Sequence, residues 1–122
     1  VNADVVPNIL STAKQLKLNG HEKQVTVDEL INNQADADYY SIHSKGIKFS
    51  VTGHGNCDLK VIVYNNDEIV IAEFNDQQSI SISEKTVKSS KGNRIYLKVE
   101  ANNLLPGQIQ SAGQYTLVVK KI

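Results

Sequence analysis

The chain has 122 residues, the size of one domain, and its 13 basic residues balance 13 acidic ones. This neutral balance argues against a nucleic-acid-binding protein, which needs a cationic face to displace counterions from phosphates. The single cysteine can form neither an internal disulfide nor a cysteine-rich zinc site. No stretch approaches the about 20 apolar residues that span a bilayer. We therefore expect no nucleic-acid partner and no membrane span.

The N-terminal residues predict a lead-in before the main fold. Ile9, Ala13 and Leu16 have helical spacing, which favours a short helical turn or an irregular lead-in within residues 1–22. The chain begins at Val1 without a methionine, which we interpret as export with removal of a signal peptide, or as excision from a longer protein. The expected location is secreted or extracellular, with the periplasm as the alternative.

From residue 23 onward the apolar residues recur with a period of two, which is typical of strands. Residues 40–43 and 47–52 alternate on either side of Ser44-Lys45-Gly46, and this pattern predicts a hairpin. Leu59–Tyr64 is apolar enough for a central strand. It is followed by the turn signal Asn65-Asn66-Asp67 and a returning strand at 68–74, which predicts a second hairpin.

Further alternating segments follow at residues 79–83, 94–100 and 114–119. Together they make about eight short strands separated by turn signals every 8–12 residues, the pattern of an all-β sandwich or barrel. We predict one domain over residues 1–122, with a lead-in at 1–22 and a sandwich at 23–122.

Residue types that perform catalysis are present but not in a catalytic pattern. His54 and Cys57 lie three residues apart beside two glycines, without an identifiable third group to orient them. The simpler interpretation is a glycine-rich turn followed by a buried thiol. No serine lies in a Gly-x-Ser-x-Gly elbow, and no phosphate-binding glycine loop occurs. We therefore predict that the chain is not an enzyme.

Several local motifs, in order along nearly the whole chain, resemble the bacterial pre-peptidase C-terminal domain, whose relatives include the collagen-binding domains of clostridial collagenases. The motifs that carry the resemblance are Pro7-Asn8 with Thr12-Ala13 and Leu16–Leu18, Ala35-Asp36-Ala37-Asp38-Tyr39-Tyr40-Ser41-Ile42, Asp58-Leu59-Lys60-Val61-Ile62-Val63-Tyr64, Gly92 ahead of Ile95-Tyr96-Leu97-Lys98-Val99, and Gly113-Gln114-Tyr115-Thr116-Leu117-Val118-Val119. The resemblance implies an antiparallel, jelly-roll-like β-sandwich. It also implies a non-catalytic accessory role behind a secreted protease.

The resemblance further implies calcium as a candidate ligand. Asn8, Asp36 and Asp38 match positions that hold calcium in the collagen-binding relatives, although the flanking acids of that family's lead-in are missing here. Calcium takes six to eight oxygen ligands, so these three would need backbone carbonyls, water or another acid. The alternative is that Asp36 and Asp38 organise a turn through bonds to the backbone. No cofactor is required by the sequence.

Tyrosines are the best candidates for a binding surface, and we select Tyr39, Tyr40, Tyr64 and Tyr96. Because Tyr39 and Tyr40 are adjacent in a strand, their side chains must point to opposite faces. Lys98 and Glu100 follow Tyr96 where the collagen-binding relatives carry a row of aromatics, which argues against collagen as the ligand.

These observations predict a non-catalytic binding or accessory module of a secreted bacterial protease or toxin, which aids substrate anchoring, secretion or folding. Its partner would be a protein or a proteinaceous substrate. The alternative is a free-standing exported partner protein, such as a dedicated chaperone, an inhibitor or an adhesin.

Overall fold

Two facing sheets form the computed structural model, which describes residues 13–18, 24–31, 37–53, 59–75, 81–101 and 113–122. Within these residues there are nine strands and no helix. They are β1 (Lys14–Leu16), β2 (Gln24–Ile31), β3 (Ala37–Ile42), β4 (Gly46–Gly53), β5 (Leu59–Tyr64), β6 (Val70–Asn75), β7 (Ser81–Lys88), β8 (Ile95–Ala101) and β9 (Gly113–Lys121). The all-β prediction is confirmed.

The five-stranded sheet has the order β1-β3-β8-β5-β6, and the four-stranded sheet has the order β2-β9-β4-β7. In the part of the chain that the structure describes, every pairing is antiparallel except the parallel pair of β1 and β3. No helix in that part is long and apolar enough to cross a membrane.

The period-two pattern becomes the core because alternate side chains of each strand point into the space between the sheets. On β8, Ile95, Leu97 and Val99 are completely buried, whereas the residues between them lie on the outer side. On β9, Tyr115, Leu117 and Val119 point inward in the same way. The two sheets therefore bury one continuous apolar core.

The helical turn expected near the N-terminus is not formed at residues 14–16, which are the strand β1. Residues 8–12 lie outside the described part. Lys14 and Gln15 are exposed while Leu16 is buried. The short strand thus places one apolar side chain in the core, as a helical turn would also have done. Pairing with β3 supplies the hydrogen bonds that an isolated three-residue segment lacks.

The predicted hairpin at Ser44-Lys45-Gly46 is wrong in its pairing. β3 belongs to the five-stranded sheet and β4 to the four-stranded sheet, so the chain crosses between sheets at this turn. Local turn chemistry is the same for a hairpin and for a corner. The Ser44 hydroxyl bonds both the carbonyl and the amide of Gly46, which tightens the corner.

The second predicted hairpin is confirmed, because β5 and β6 pair antiparallel around the Asn65 turn. The buried Asn65 side chain accepts bonds from the amides of Asp67 and Ile69 at 2.8 and 3.1 Å. Gly92 packs against Asn66 of this turn with a φ of +70°. A side chain at Gly92 would be strained and would collide with Asn66, which explains a glycine here.

Candidate functional site

The outer side of the five-stranded sheet carries three of the four tyrosines predicted as a binding surface. Tyr39 lies on β3, Tyr96 on β8 and Tyr64 on β5, and these are neighbouring strands. Tyr64 lies directly opposite Tyr96 in the register, and Tyr39 lies opposite Lys98. All three tyrosine rings are half-buried. We call Tyr39, Tyr64, Tyr96 and Lys98 the tyrosine face.

Lys98 lies at the centre of the tyrosine face. Its Nζ is 5.6 Å from the centroid of the Tyr39 ring and 2.8 Å from Oε1 of Glu100. Burial lowers the pKa of Lys98, but the hydrogen bond and charge of Glu100 outweigh it, so the net shift is upward from 10.5. Lys98 therefore remains charged at neutral pH and holds the Tyr39 ring by a cation–π contact.

Partial burial also raises the pKa of Tyr64 above its ordinary value, although the charge of Lys98 opposes this shift. The hydroxyl of Tyr64 is therefore protonated at neutral pH and able to donate a hydrogen bond. Across the same face, Lys60 pairs with Glu73 at 3.3 Å. The face thus offers aromatic rings whose hydroxyl groups can donate and accept hydrogen bonds, with the Lys98–Glu100 ion pair among them.

Tyr40 does not belong to this surface. It is completely buried, and its hydroxyl lies 2.6 Å from that of Tyr115 on β9. The sequence rule that Tyr39 and Tyr40 point to opposite faces is confirmed. Adjacency alone did not show which of the two faces the core, since that depends on which side of β3 the second sheet covers.

Asp38, one of the three candidate calcium ligands, lies in the core between the sheets. Its side chain is completely buried, and Oδ2 accepts a 2.5 Å hydrogen bond from the Tyr115 hydroxyl. Because Tyr115 donates its only hydrogen to Asp38, Tyr40 must donate to Tyr115 in their contact. Asp38, Tyr115 and Tyr40 thus form a hydrogen-bonded chain that joins β3 to β9.

This chain of bonds was missed from the sequence because Asp38 and Tyr115 are 77 residues apart. The available signal was a carboxylate at an inward position of an alternating strand, which requires a partner in the core. Burial is the main reason that the pKa of Tyr115 is raised far above 10.0, and the neighbouring Tyr40 and Asp38 raise it further.

The other candidate calcium ligands, Asn8 and Asp36, lie outside the described residues. Within the described part, no group of three His, Cys, Asp or Glu side chains is arranged to hold a metal ion. His54 and Cys57 also lie outside it, so their relation is not described. His43, which is described, is exposed.

A shallow cavity of about 340 Å³ lies at the end of the sandwich beside β1. Leu16 and Leu18 form part of its wall, and the ionisable side chains that line it are Lys17, His43 and Lys121. Among the described residues that line it there is no acid, serine or cysteine.

Comparison with known proteins supports the architecture. No family model and no curated protein matches the sequence. Among solved structures, the pre-peptidase C-terminal domain of collagenase from Bacillus anthracis matches with a TM-score of 0.63, over 88% of this chain and 93% of that domain, at 20% identity. The chain has the fold of a pre-peptidase C-terminal domain.

The same pre-peptidase C-terminal fold also matches PliG of Aeromonas hydrophila, a periplasmic inhibitor of g-type lysozyme. That match has a TM-score of 0.63 over 88% of this chain and 93% of PliG, at 11% identity. Similarity at these identities concerns the fold alone. Function has to be argued from the surfaces of this chain.

Proposed function

We propose that this chain is a non-catalytic binding module of a secreted bacterial protease or toxin, and that its tyrosine face holds a proteinaceous ligand. The observation that carries the proposal is the placement of Tyr39, Tyr64 and Tyr96 on three neighbouring strands of one outer face. Tyrosine combines a large apolar ring with a polar tip and is enriched where proteins bind proteins. The fold, shared with an accessory domain of a collagenase, supports the same proposal.

The contacts within the face support binding rather than incidental exposure. The rings are mounted on paired strands, and Lys98 restrains Tyr39 from one side while Glu100 restrains Lys98. Side chains that are already ordered lose little conformational entropy when a ligand binds. A ligand with an extended polypeptide backbone could accept hydrogen bonds from the tyrosine hydroxyls while its apolar side chains pack on the rings.

Binding is tested by co-sedimentation of the chain with insoluble proteins, using elastin, collagen fibrils and heat-aggregated casein as probes. We expect binding to at least one probe, with affinity reduced about tenfold or more by Tyr96→Ala, as for a central aromatic anchor. Lys48→Ala is the matched control, because Lys48 is exposed on the other sheet. Binding that Tyr96→Ala leaves unchanged, or failure to bind any probe, would contradict the proposal.

The alternative proposal is a free-standing exported partner protein, and the match to PliG favours an inhibitor among such partners. Its test is lysis of peptidoglycan by a g-type lysozyme with an excess of this chain. Stoichiometric inhibition would support the alternative over the accessory module. Unchanged lysis would leave the accessory module as the better proposal.

Calcium bound through Asn8, Asp36 and Asp38 remains a separate proposal. Of the three candidate ligands, only Asp38 is described, and one of its carboxylate oxygens already accepts a bond from Tyr115. Most of the six to eight oxygens that calcium needs would therefore come from other residues or from water.

Thermal unfolding with calcium and with a chelator tests the calcium proposal. Calcium at one hundred times its dissociation constant should stabilise the fold by about 2.7 kcal/mol, a rise of several degrees in melting temperature. Asp36→Asn should abolish the rise, and magnesium is the control ion. Identical melting temperatures with calcium and with chelator would show that the chain has no such calcium site.

A further inference from the structure

The edge strand β6 and the residue just before it expose aliphatic side chains that the core does not use. Ile69, Val70 and Ile71 are consecutive, and their exposed fractions are 56%, 48% and 37%. Among the described residues, the only other exposed large hydrophobic side chain is Ile122. β6 meets the core through Ala72 and Phe74 instead. Three exposed aliphatic residues in a row are thus unexplained by folding of the chain itself.

One edge of the β6 backbone is also unpaired in the described part of the chain, where β6 has a strand neighbour only on the β5 side. In an antiparallel pair, alternate residues direct their N–H and C=O groups away from the partner strand. Such an edge is a template for another strand, and proteins commonly protect it with lysine or proline.

Lysine protects two of the other edges but not β6. The edge strand β1 carries Lys14, and the edge strand β7 carries Lys85 and Lys88, whereas β6, like the edge strand β2, contains neither lysine nor proline. A register shift opposite Val63 and Tyr64 bends β6 near Ile71. This bulge limits pairing to a short segment but leaves the apolar residues at the edge.

Charge around this edge indicates what kind of strand would pair with it. Asp67, Glu68 and Glu73 flank the three aliphatic residues, and all three acids are exposed. Among the described residues, Lys60 pairs with Glu73, and Lys85 of β7 lies over the aromatic ring of β6. Antiparallel pairing of β6 with a second copy of the chain would bring six acids together, which disfavours self-association. A basic partner would be attracted instead.

We propose that β6 is a strand-addition edge that binds an extended segment of another protein, one that alternates β-branched residues with lysine or arginine. Main-chain hydrogen bonds would supply affinity, and alternate side chains would supply specificity. The β-branched side chains of the partner would cover Val70 and its neighbours, while its cations would lie near Glu68 and Glu73. This edge is distinct from the tyrosine face and does not rest on the function proposed above.

Fluorescence anisotropy with a labelled eight-residue peptide that alternates valine and lysine tests the proposal. We expect saturable binding, which weakens as salt is raised. A peptide in which glutamate replaces lysine should bind at least tenfold more weakly. Val70→Lys should weaken binding of the valine–lysine peptide at least tenfold. Thr86→Lys is the matched control, because it adds the same charge at an exposed position of the edge strand β7.

Two further arms separate strand addition from other modes of binding. N-methylation of alternate peptide amides removes the donors along one edge of the peptide only. We compare methylation of the odd-numbered amides with methylation of the even-numbered amides. One of the two peptides should lose binding, and the other should bind as the unmethylated peptide does. If both sets bind equally well, or if the glutamate peptide binds as tightly as the lysine peptide, the proposal is wrong.

Failure of this proposal is distinguishable from failure of the tyrosine-face proposal. Tyr96→Ala should leave peptide binding unchanged, while Val70→Lys should leave sedimentation with insoluble proteins unchanged. Light scattering of the chain alone should show a monomer. A dimer that Val70→Lys dissociates would contradict the proposal of a basic partner, because it would show that β6 pairs with a second copy of the chain.

Discussion

Tyr115→Phe is expected to lower the free energy of unfolding by about 2–3 kcal/mol, because hydrogen bonds to charged groups in a protein interior contribute about that much. The substitution removes the hydroxyl that donates to the completely buried Asp38, and it removes the acceptor of the Tyr40 hydroxyl. Shape and apolar area hardly change. The loss would therefore report the hydrogen bonds and not the packing, and urea unfolding measures it.

Tyr96→Phe is the matched control, because it removes a tyrosine hydroxyl from the half-buried outer face. Its effect should stay within about 0.5 kcal/mol, as for most surface substitutions. Equal losses for the two variants would show that the chain of bonds from Asp38 to Tyr40 contributes nothing special to stability.

The same chain of bonds makes stability depend on alkaline pH. Burial raises the pKa of Tyr115 above the ordinary value of 10.0, so above pH 10 the unfolded state loses a proton that the native state keeps. Stability is then complete below about pH 10 and falls above it by about 1.4 kcal/mol per pH unit for this group. Tyr64, whose pKa is also raised, acts in the same direction. Tyr115→Phe should therefore reduce the alkaline slope without abolishing it.

Phe49→Ala should cause the largest loss of stability, about 3–5 kcal/mol, because it opens a cavity in a close-packed core. Phe49 on β4 is 1% exposed, and its ring meets that of Phe74 on β6 edge-on, with centroids 5.5 Å apart. This contact joins the four-stranded sheet to the edge of the five-stranded sheet. Urea unfolding measures the total loss.

Hydrogen exchange of the β6 amides provides a local measurement for the same substitution. Phe49→Ala should speed exchange in β6 more than in β8, since β8 lies between β3 and β5 while β6 has β5 on one side. Phe49→Leu, which keeps most of the volume, should cost less than half as much. Uniform acceleration across both strands would show that Phe49 stabilises the whole core and does not specifically hold β6.

Several features of the fold followed from local pattern. Alternation on β8 and β9 predicted strands because a strand half-covered by a second layer needs apolar residues at every other position. The apolar run of β5 predicted a central strand. The Asn65 turn was predicted correctly, since asparagine forms the side-chain bonds that close it. Sheet membership was harder to predict. The corner at Ser44 has the local chemistry of a hairpin, and only the position of the second sheet distinguishes the two.

The tyrosine face was predictable only in part, because local pattern does not give the register between strands. Residue type and alternation placed Tyr39, Tyr64 and Tyr96 on strands, but the register between β3, β8 and β5 is what brings them together. Tyr40 was assigned to the surface because alternation does not state which side of a strand meets the core. Its partner Tyr115 is 75 residues away, which no local pattern encodes.

By itself, the sequence determined that this chain is all-β with interspersed charge, because period-two alternation and turn residues are local properties. The neutral charge balance and the single cysteine argued against nucleic-acid binding and against a cysteine-rich zinc site, and both statements remain predictions from composition. Only the tertiary structure decided which sheet each strand joins, that Asp38 lies in the core beneath Tyr115, and that Ile69–Ile71 remain exposed at an edge. Those outcomes depend on strand pairing and packing between residues that are far apart in sequence, which no local pattern encodes.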